Sequence, residues 1–309
     1  MATVLSPAAA HVDGPLLITP EQHRQFDEDG FVLIEDALTQ EEVAELLEVV
    51  DELDTRYRTE RNLDPQEAFQ IRNIVAAHPR FRQMIDHPRI LPLMVDVMGV
   101  NIHIRTSHMD TRPPMPTTAA QQELGARDSF FPFHSDGPNF GWPTTDGVVP
   151  YMEAKVAYYL TDLTAHNSGA IVVVRGSHKI RQKDDQGNWL FDPADIVEVN
   201  VRPGTAMIWR TALVHAVTPN LSDHARKCLY YGYTHRWVRP SDYDHQEATA
   251  LDGCTPIQLQ LLGELGDGSQ AYNGDDPLVH PISRFWRPRN EDIPLKAWAE
   301  AYRLAPVPV

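Results

Sequence analysis

A histidine and an aspartate stand two residues apart in the stretch FHSDGPNFGWP, residues 133–143. Side chains two apart in an extended segment point to the same side, so His134 and Asp136 can aim at one point. Pro132 before the pair and a Gly-Pro turn after it favour an extended segment that ends there. An imidazole nitrogen and a carboxylate oxygen suit a borderline divalent metal. A second imidazole would complete the two-histidine, one-carboxylate set of non-haem iron.

His215 is the strongest candidate for that third ligand. It ends the apolar segment TAMIWRTALVHAV, residues 205–217, just before a turn. His166 and His224 fall in a loop and a polar turn, and we expect His178 on an exposed turn. A single histidine on a strand is often only a core or surface residue. We therefore predict His134, Asp136 and His215 as metal ligands and catalytic residues, with an ordinary structural role as the alternative for each.

The elements before residue 100 are predicted to be mainly helical. Thr19 and Pro20 suit the start of a helix that Gly30 ends, and FVLIED then reads as a strand. Thr39 and Glu42 have the spacing of a capping box in front of a long amphipathic helix. Further helices are predicted over residues 65–75 and 90–98.

Six segments between residues 101 and 240 are predicted strands, separated by turns rich in glycine, proline, asparagine and aspartate. They are NIHIRTSHMDTR, KVAYYLTDL, GAIVVVRGS, IVEVNV, TAMIWRTALVHAV and KCLYYGYTHRWV. Strands in such a run indicate an α+β fold, an antiparallel double sheet or barrel with helices packed outside. The predicted strands and helices do not alternate, so a doubly wound sheet is not favoured.

We expect one domain over residues 1–309. Residues 1–16 read as a flexible tail, 17–100 as helical support, 101–240 as the core of strands, and 241–309 as an extension of helix and loop. In this extension TPIQLQLLGEL and PLKAWAEAYRL are predicted helices. The extension is expected to serve as a lid or as the surface of a homodimer.

Composition excludes several classes of protein. With 27 basic and 43 acidic residues the net charge is −16, which gives no general attraction for nucleic acid or anionic lipid. No apolar run is long enough to predict a membrane span. The two cysteines, Cys228 and Cys254, are too few for a disulfide framework and indicate a reducing compartment, which we take to be the cytoplasm.

Arg226 stands eleven residues after His215, across a polar turn in HAVTPNLSDHARKCLYYGY, residues 215–233. With the helix and strand of the opening LLITPEQHRQFDEDGFVLIED, the FHSDGP stretch and YYLTDLTAHNSGAIVVVRGSHK, this order resembles the phytanoyl-CoA dioxygenase family of iron(II)/2-oxoglutarate oxygenases. The resemblance covers about residues 17 to 240.

The resemblance implies a double-stranded β-helix, also called a jelly roll or cupin-like fold, with helices outside. It implies Fe(2+), 2-oxoglutarate and O2 as cofactors, and release of succinate and CO2 as a small molecule is hydroxylated or otherwise oxidised. Since Asp136 is present, hydroxylation is favoured over halogenation, because related halogenases lack this carboxylate. Arg226 would bind the far carboxylate of 2-oxoglutarate, where a planar, always charged fork is suited.

Several further residues are assigned with alternatives left open. His108 would lie near the oxo acid or else face the surface from its strand. Thr218 and Ser222 would bind the carboxylate of 2-oxoglutarate or else cap a turn. Three residues after the iron motif would contact substrate, or else belong to the core or the turn. They are Asn139, Phe140 and Trp142.

Two other functions are alternatives to the oxygenase. A non-catalytic jelly-roll module that binds a ligand and retains a metal site would not need Arg226. A zinc hydrolase would use similar ligands, but no general base is evident. The acidic composition, with no evident cluster of lysine and arginine, argues against a coenzyme A thioester and favours a free small metabolite as substrate.

Overall fold

The computed structural model describes residues 18–115, 131–136, 151–179, 183–264 and 293–301. Within these ranges the strands form two antiparallel sheets. The major sheet has the order β1-β8-β5-β10-β3-β2, and the minor sheet has the order β4-β9-β6-β7. The strands are β1 (Phe31–Ile34), β2 (Phe69–Arg72), β3 (Ile102–Arg112), β4 (Phe131–His134), β5 (Glu153–Tyr159), β6 (Ile171–Val174), β7 (Ile196–Glu198), β8 (Ala206–Arg210), β9 (His215–Val217) and β10 (Arg226–His235).

Helices lie mainly before and after these strands. They are α1 (Pro20–Glu28), α2 (Gln40–Arg61), α3 (Ile74–Ala77), α4 (Pro79–Arg82), α5 (Leu91–Met98), α6 (Ala248–Leu251), α7 (Pro256–Leu261) and α8 (Pro294–Ala301), with 3-10 turns at Gln83–Asp86 and Pro193–Asp195. The predicted capping box at the start of α2 is confirmed, because Thr39 and Glu42 each accept a hydrogen bond from the other's backbone amide. In the part of the chain that the structure describes, no helix is long and apolar enough to cross a membrane.

The helix predicted over residues 65–75 is wrong, because β2 occupies its centre. Phe69 and Ile71 are buried whereas Gln70 and Arg72 are exposed, which is the period of two that a strand requires. In the antiparallel register, Ile71 lies opposite Met109 of β3. Both β1 and β2 therefore join the major sheet, although they precede the segment predicted to form the core of strands.

The major sheet has a different apolar core on each of its two faces. On β10, Leu229 and Tyr231 belong to a buried cluster that includes residues of α2 and α5. Cys228 and Tyr230 belong to a second cluster, which includes Ile171 of the minor sheet. Successive strand residues point to opposite faces, so one face packs on helices and the other, here called the inner face, packs on the minor sheet.

Candidate metal centre and its cavity

The predicted metal ligands converge at one end of the minor sheet. His134 of β4 lies directly opposite His215 of β9 in the antiparallel register, with ring centroids 4.3 Å apart. Asp136 follows β4, and its carboxylate oxygens lie 3.8 Å from Nε2 of His134 and 3.4 Å from Nε2 of His215. One ligand atom from each of the three residues lies within 4.8 Å of the other two.

Both imidazoles are held with Nε2 available as a ligand. Nδ1 of His134 lies 2.9 Å from the carbonyl oxygen of Pro132, and Nδ1 of His215 lies 2.9 Å from that of Leu213. A carbonyl oxygen only accepts, so each Nδ1 carries the hydrogen and each Nε2 keeps its lone pair. Burial is the largest cause that lowers the pKa of His134, which favours the neutral ring that a metal needs. The donor set therefore fits a divalent metal.

A buried lysine, Lys155, forms an ion pair with the carboxylate of Asp136. Nζ of Lys155 donates to Oδ2 of Asp136 at 2.5 Å, and the lysine side chain is only 6% exposed. Burial by itself would raise the pKa of Asp136, but the positive charge of Lys155 outweighs it and holds that pKa well below its usual range. Gly232 lies opposite Lys155 in the register, where an added Cβ would come within 2.7 Å of Glu153 Oε1. The absent side chain leaves room for Glu153 and Lys155.

A cavity of about 610 Å³ opens beside the three ligands. Its other wall is the inner face of the major sheet, to which β3 contributes His108, Asp110 and Arg112 at every second position. In the register, His108 lies opposite Tyr230 of β10 and Arg72 of β2, and both of these side chains also line the cavity. Strand pairing thus places polar and charged side chains from three strands facing the candidate metal ligands.

Arg226 lies behind this wall and is 1% exposed. Its Nη1 donates to Oδ1 of Asp110 at 3.1 Å, and its Nη2 donates to the hydroxyl of Tyr230. Nε of Arg112 lies 3.0 Å from the same oxygen of Asp110. The two arginines overcome the effect of burial and lower the pKa of Asp110, so this carboxylate is shared by two guanidinium groups. Asp110, Tyr230 and Arg112 line the cavity, whereas Arg226 contacts Asp110 and Tyr230 and is not among the described lining residues.

His108 lines the cavity and stacks on Tyr230, with ring centroids 4.6 Å apart. Burial, then the charges of Lys155 and Arg72, lower its pKa well below the usual range, so the ring is neutral. Nδ1 lies 3.4 Å from Nη1 of Arg72, and since a guanidinium only donates, Nδ1 is the acceptor. The proton is therefore on Nε2, which makes this atom a hydrogen-bond donor.

Other predicted site residues have structural partners of their own. The hydroxyl of Thr218 donates to the carbonyl of Ala170 at 3.3 Å. The hydroxyl of Ser222 donates to Oδ1 of Asn220 at 2.7 Å, within the polar turn. Neither side chain lines the cavity, within the part of the chain that the structure describes. The predicted substrate residues, Asn139, Phe140 and Trp142, lie outside the described residues.

The expectation that His178 is exposed is wrong. The residue lies in a turn, but it is 2% exposed, and Nε2 lies 3.1 Å from the carbonyl oxygen of Asp27. Its ring packs against Gly30, where an added Cβ would come within 2.4 Å of Nδ1. The GSHK stretch thus joins the end of α1 to the minor sheet.

Five charged residues of the cavity were missed by sequence analysis. They are Arg72, Arg105, Asp110, Arg112 and Lys155. A signal existed for two of them, because His108, Asp110 and Arg112 form an H-x-D-x-R alternation on one face of a predicted strand. Lys155 begins an otherwise apolar segment, which is a weaker signal for a buried cation.

The chain is similar to known proteins both in sequence and in fold. The profile of the family described as Phytanoyl-CoA dioxygenase (PhyH) matches residues 26–228. Ectoine dioxygenase of Bordetella parapertussis is 25% identical over 169 residues, 52% of this chain and 50% of that protein. A probable alpha-ketoglutarate-dependent hypophosphite dioxygenase of Stutzerimonas stutzeri is 23% identical over 274 residues, 78% of this chain and 89% of that protein. The chain thus spans about half the length of the two Bordetella ectoine dioxygenases that it matches.

Solved structures share the fold. HygX from Streptomyces hygroscopicus, determined with nickel and 2-oxoglutarate bound, is similar with a TM-score of 0.56 and 20% identity, covering 72% of this chain and 90% of that one. EctD from S. alaskensis is similar with a TM-score of 0.56 and 21% identity, covering 75% and 82%. The predicted α+β fold, a cupin-like double-stranded β-helix with helices outside, is confirmed. The family match covers residues 26–228 of 309, and the chain therefore belongs to the phytanoyl-CoA dioxygenase (PhyH) family.

Proposed function

We propose that this chain is an iron(II)- and 2-oxoglutarate-dependent dioxygenase that oxidises a carbon of a small-molecule metabolite and releases succinate and CO2. The observation that carries the proposal is the convergence of His134, Asp136 and His215 at the wall of a cavity. Family membership supports it. So does the fold shared with HygX, whose structure holds 2-oxoglutarate.

The three side chains would hold the metal from one side and leave open positions for other ligands. When bound, a ferrous ion with 2-oxoglutarate and dioxygen supplies the oxidising power. The Pro132 and Leu213 carbonyls fix the two imidazoles in the tautomer that presents Nε2. Lys155 keeps Asp136 ionised and oriented. The presence of Asp136 as a third protein ligand favours hydroxylation over halogenation.

Arg226 and Arg112 would bind the far carboxylate of 2-oxoglutarate. Both guanidinium groups already hold the carboxylate of Asp110, which supports a carboxylate subsite at this end of the cavity. For a second carboxylate to reach Arg226, Asp110 must turn aside or share the two arginines with it. Nε2 of His108, which carries a proton in this geometry, would donate a further hydrogen bond to the oxo acid.

Both cysteines are free thiols, Cys228 buried and Cys254 half-buried, which supports a location in a reducing compartment such as the cytoplasm. A homodimer formed through the C-terminal extension stays a prediction. Size-exclusion chromatography with light scattering, on the full chain and on a chain that ends at residue 240, would test it. A monomer at micromolar concentration would contradict it.

The experiment that tests the function measures oxygen-dependent formation of succinate from 2-oxoglutarate across a panel of candidate metabolites. We expect turnover with wild type and a loss of at least about a hundredfold in His215→Ala and Asp136→Ala. His224→Ala is the matched control, because this histidine lies in a polar turn and contacts Asp162 and Asp223. Equal turnover in wild type and His215→Ala would contradict the function.

A further inference from the structure

The cavity is positively charged although the chain carries a net charge of −16. Among the residues that the structure describes, four cations and two carboxylates line it, which leaves 4 − 2 = 2 positive charges. The cations are Arg72, Arg105, Arg112 and Lys155, and the carboxylates are Asp110 and Asp136. These residues come from three strands and one loop, so the charge is gathered by folding.

Partners directly behind the lining reduce this surplus but do not remove it. Arg226 adds one positive charge, since it pairs with Asp110. Glu153, which pairs with Arg105, and Asp242, which accepts from the hydroxyl of Thr106, add two negative charges. The sum is then 2 + 1 − 2 = 1. A ferrous ion and the dianion of 2-oxoglutarate would cancel each other, so the surplus persists in the loaded site.

Of the four lining cations, Arg72 is the one that pairs with no carboxylate among the described residues. The other three lining cations are paired, Arg112 with Asp110, Lys155 with Asp136 and Arg105 with Glu153. Arg72 forms an ion pair with no carboxylate in the described ranges. Its guanidinium instead makes long hydrogen bonds, 3.2–3.4 Å, to neutral acceptors. They are Gln70 Oε1, Thr106 Oγ1 and His108 Nδ1.

The position of Arg72 suits recognition of a ligand that enters from solution. Arg72 is an exposed residue, whereas Arg112 and Arg226 are buried. Gln70 separates it from the carboxylate subsite, because Oε1 of Gln70 accepts from Arg72 while Nε2 of Gln70 donates to Asp110 at 2.7 Å. Long hydrogen bonds of 3.2–3.4 Å to neutral acceptors can be exchanged for an oxyanion, because the oxyanion adds charge–charge attraction and can accept two parallel bonds from the guanidinium.

We infer that the substrate carries an oxyanion, a carboxylate or a phosphorus oxyanion, and that Arg72 binds this group at the cavity mouth while the opposite end of the substrate faces the metal ligands. The inference rests on the proposed function, and it narrows the substrate from any small metabolite to an anionic one. A planar guanidinium fork binds such groups through two parallel hydrogen bonds, which a lysine cannot reproduce.

The test uses full-length protein loaded with nickel(II) and 2-oxoglutarate at low ionic strength. Calorimetric titrations use acetate and methylphosphonate as oxyanion probes and acetamide as the neutral probe. We expect wild type to bind at least one oxyanion and to prefer it over acetamide. Arg72→Gln should lose about tenfold or more in that affinity, and Arg72→Lys should lose less. The probe that binds more tightly distinguishes a carboxylate from a phosphorus oxyanion.

Arg202→Gln is the matched control, because it removes the same charge from a side chain that is 69% exposed and lies outside the cavity lining. Equal losses in the two Gln variants, or no loss in Arg72→Gln, would overturn the inference. A large loss of 2-oxoglutarate affinity in Arg72→Gln would also overturn it, since Arg72 would then serve the oxo acid. If wild type takes up nickel and 2-oxoglutarate but binds no oxyanion, only the anionic substrate class is contradicted. If wild type takes up neither nickel nor 2-oxoglutarate, the proposed function is contradicted, and the inference with it.

Discussion

His134 and His215 lie directly opposite each other on β4 and β9, with their ring centroids 4.3 Å apart. This pairing joins two strands that are 81 residues apart in the chain, and it places both rings on the same face of the minor sheet. A slip of one residue in the register would turn one imidazole to the other face. The candidate metal site therefore depends on the register of a short strand pair. The Nδ1 hydrogen bond of each ring to the carbonyl two residues earlier orients the ring within its own segment.

Asp110→Asn is expected to destabilise the protein and to make its stability depend more strongly on 2-oxoglutarate. The carboxylate is the counter-ion of buried Arg226 and also pairs with Arg112, so neutralising it should cost on the order of 3 kcal/mol of unfolding free energy. In the variant, the far carboxylate of 2-oxoglutarate would replace the lost charge. Thermal unfolding with and without 2-oxoglutarate should show a larger ligand-induced rise in Tm for Asp110→Asn than for wild type. An equal or smaller rise would contradict the assignment of this subsite.

Gly169→Ala is expected to disturb the packing around the side chain of Arg226. Gly169 has φ +81°, and an added Cβ would lie 3.1 Å from Cδ of Arg226. Gly187 is the matched control, because its φ is +86° and nothing lies within 4 Å of an added Cβ. Gly187→Ala should cost about 1 kcal/mol from backbone strain alone, and Gly169→Ala should cost more and weaken binding of 2-oxoglutarate. Equal costs with unchanged 2-oxoglutarate affinity would show that the close approach to Arg226 is unimportant.

Asp86→Asn is expected to stabilise the protein above neutral pH and not in acid. Burial raises the pKa of Asp86 from 3.8 to about 6, and the hydrogen bond from Gln258 of α7 offsets only part of this. Between these two values the folded state holds a proton that the unfolded state has lost, so the stability of wild type falls as the pH rises through this window. At pH 8 the ionised, buried carboxylate of Asp86 lowers the free energy of unfolding by its full amount, on the order of 2–3 kcal/mol. Denaturant unfolding of wild type and Asp86→Asn at pH 4 and pH 8 measures this difference. A gain in unfolding free energy that is equal at the two pH values would contradict the shifted pKa.

Local sequence patterns were sufficient for most strands and for the positions of the three candidate ligands. The alternation in β3, the capping box of α2 and the H-x-D spacing are all properties of a few consecutive residues. The segment of β2 was misread as helix because a strand of four residues gives little periodicity, and its pairing with β3 depends on residues 36–42 positions away.

The charged wall of the cavity shows what sequence patterns could not reveal. Sequence analysis found no cluster of basic residues, yet Arg72, Arg112 and Lys155 meet at one cavity because β2, β3 and β5 lie in the same sheet. Their separation along the chain hides the cluster. The pairing of Lys155 with Asp136 likewise joins the two sheets and becomes visible only when they face each other.

The most direct test of the central claim is an anaerobic titration of the iron(II)-loaded protein with 2-oxoglutarate, followed by visible absorption. Wild type is expected to develop a weak band that saturates at one 2-oxoglutarate per chain, and to release succinate once oxygen is admitted. The variants His134→Ala, Asp136→Ala and His215→Ala should show neither. A band of equal strength in the three variants, or no band in a wild type that has bound iron, would contradict the claim that these residues form an iron site for 2-oxoglutarate.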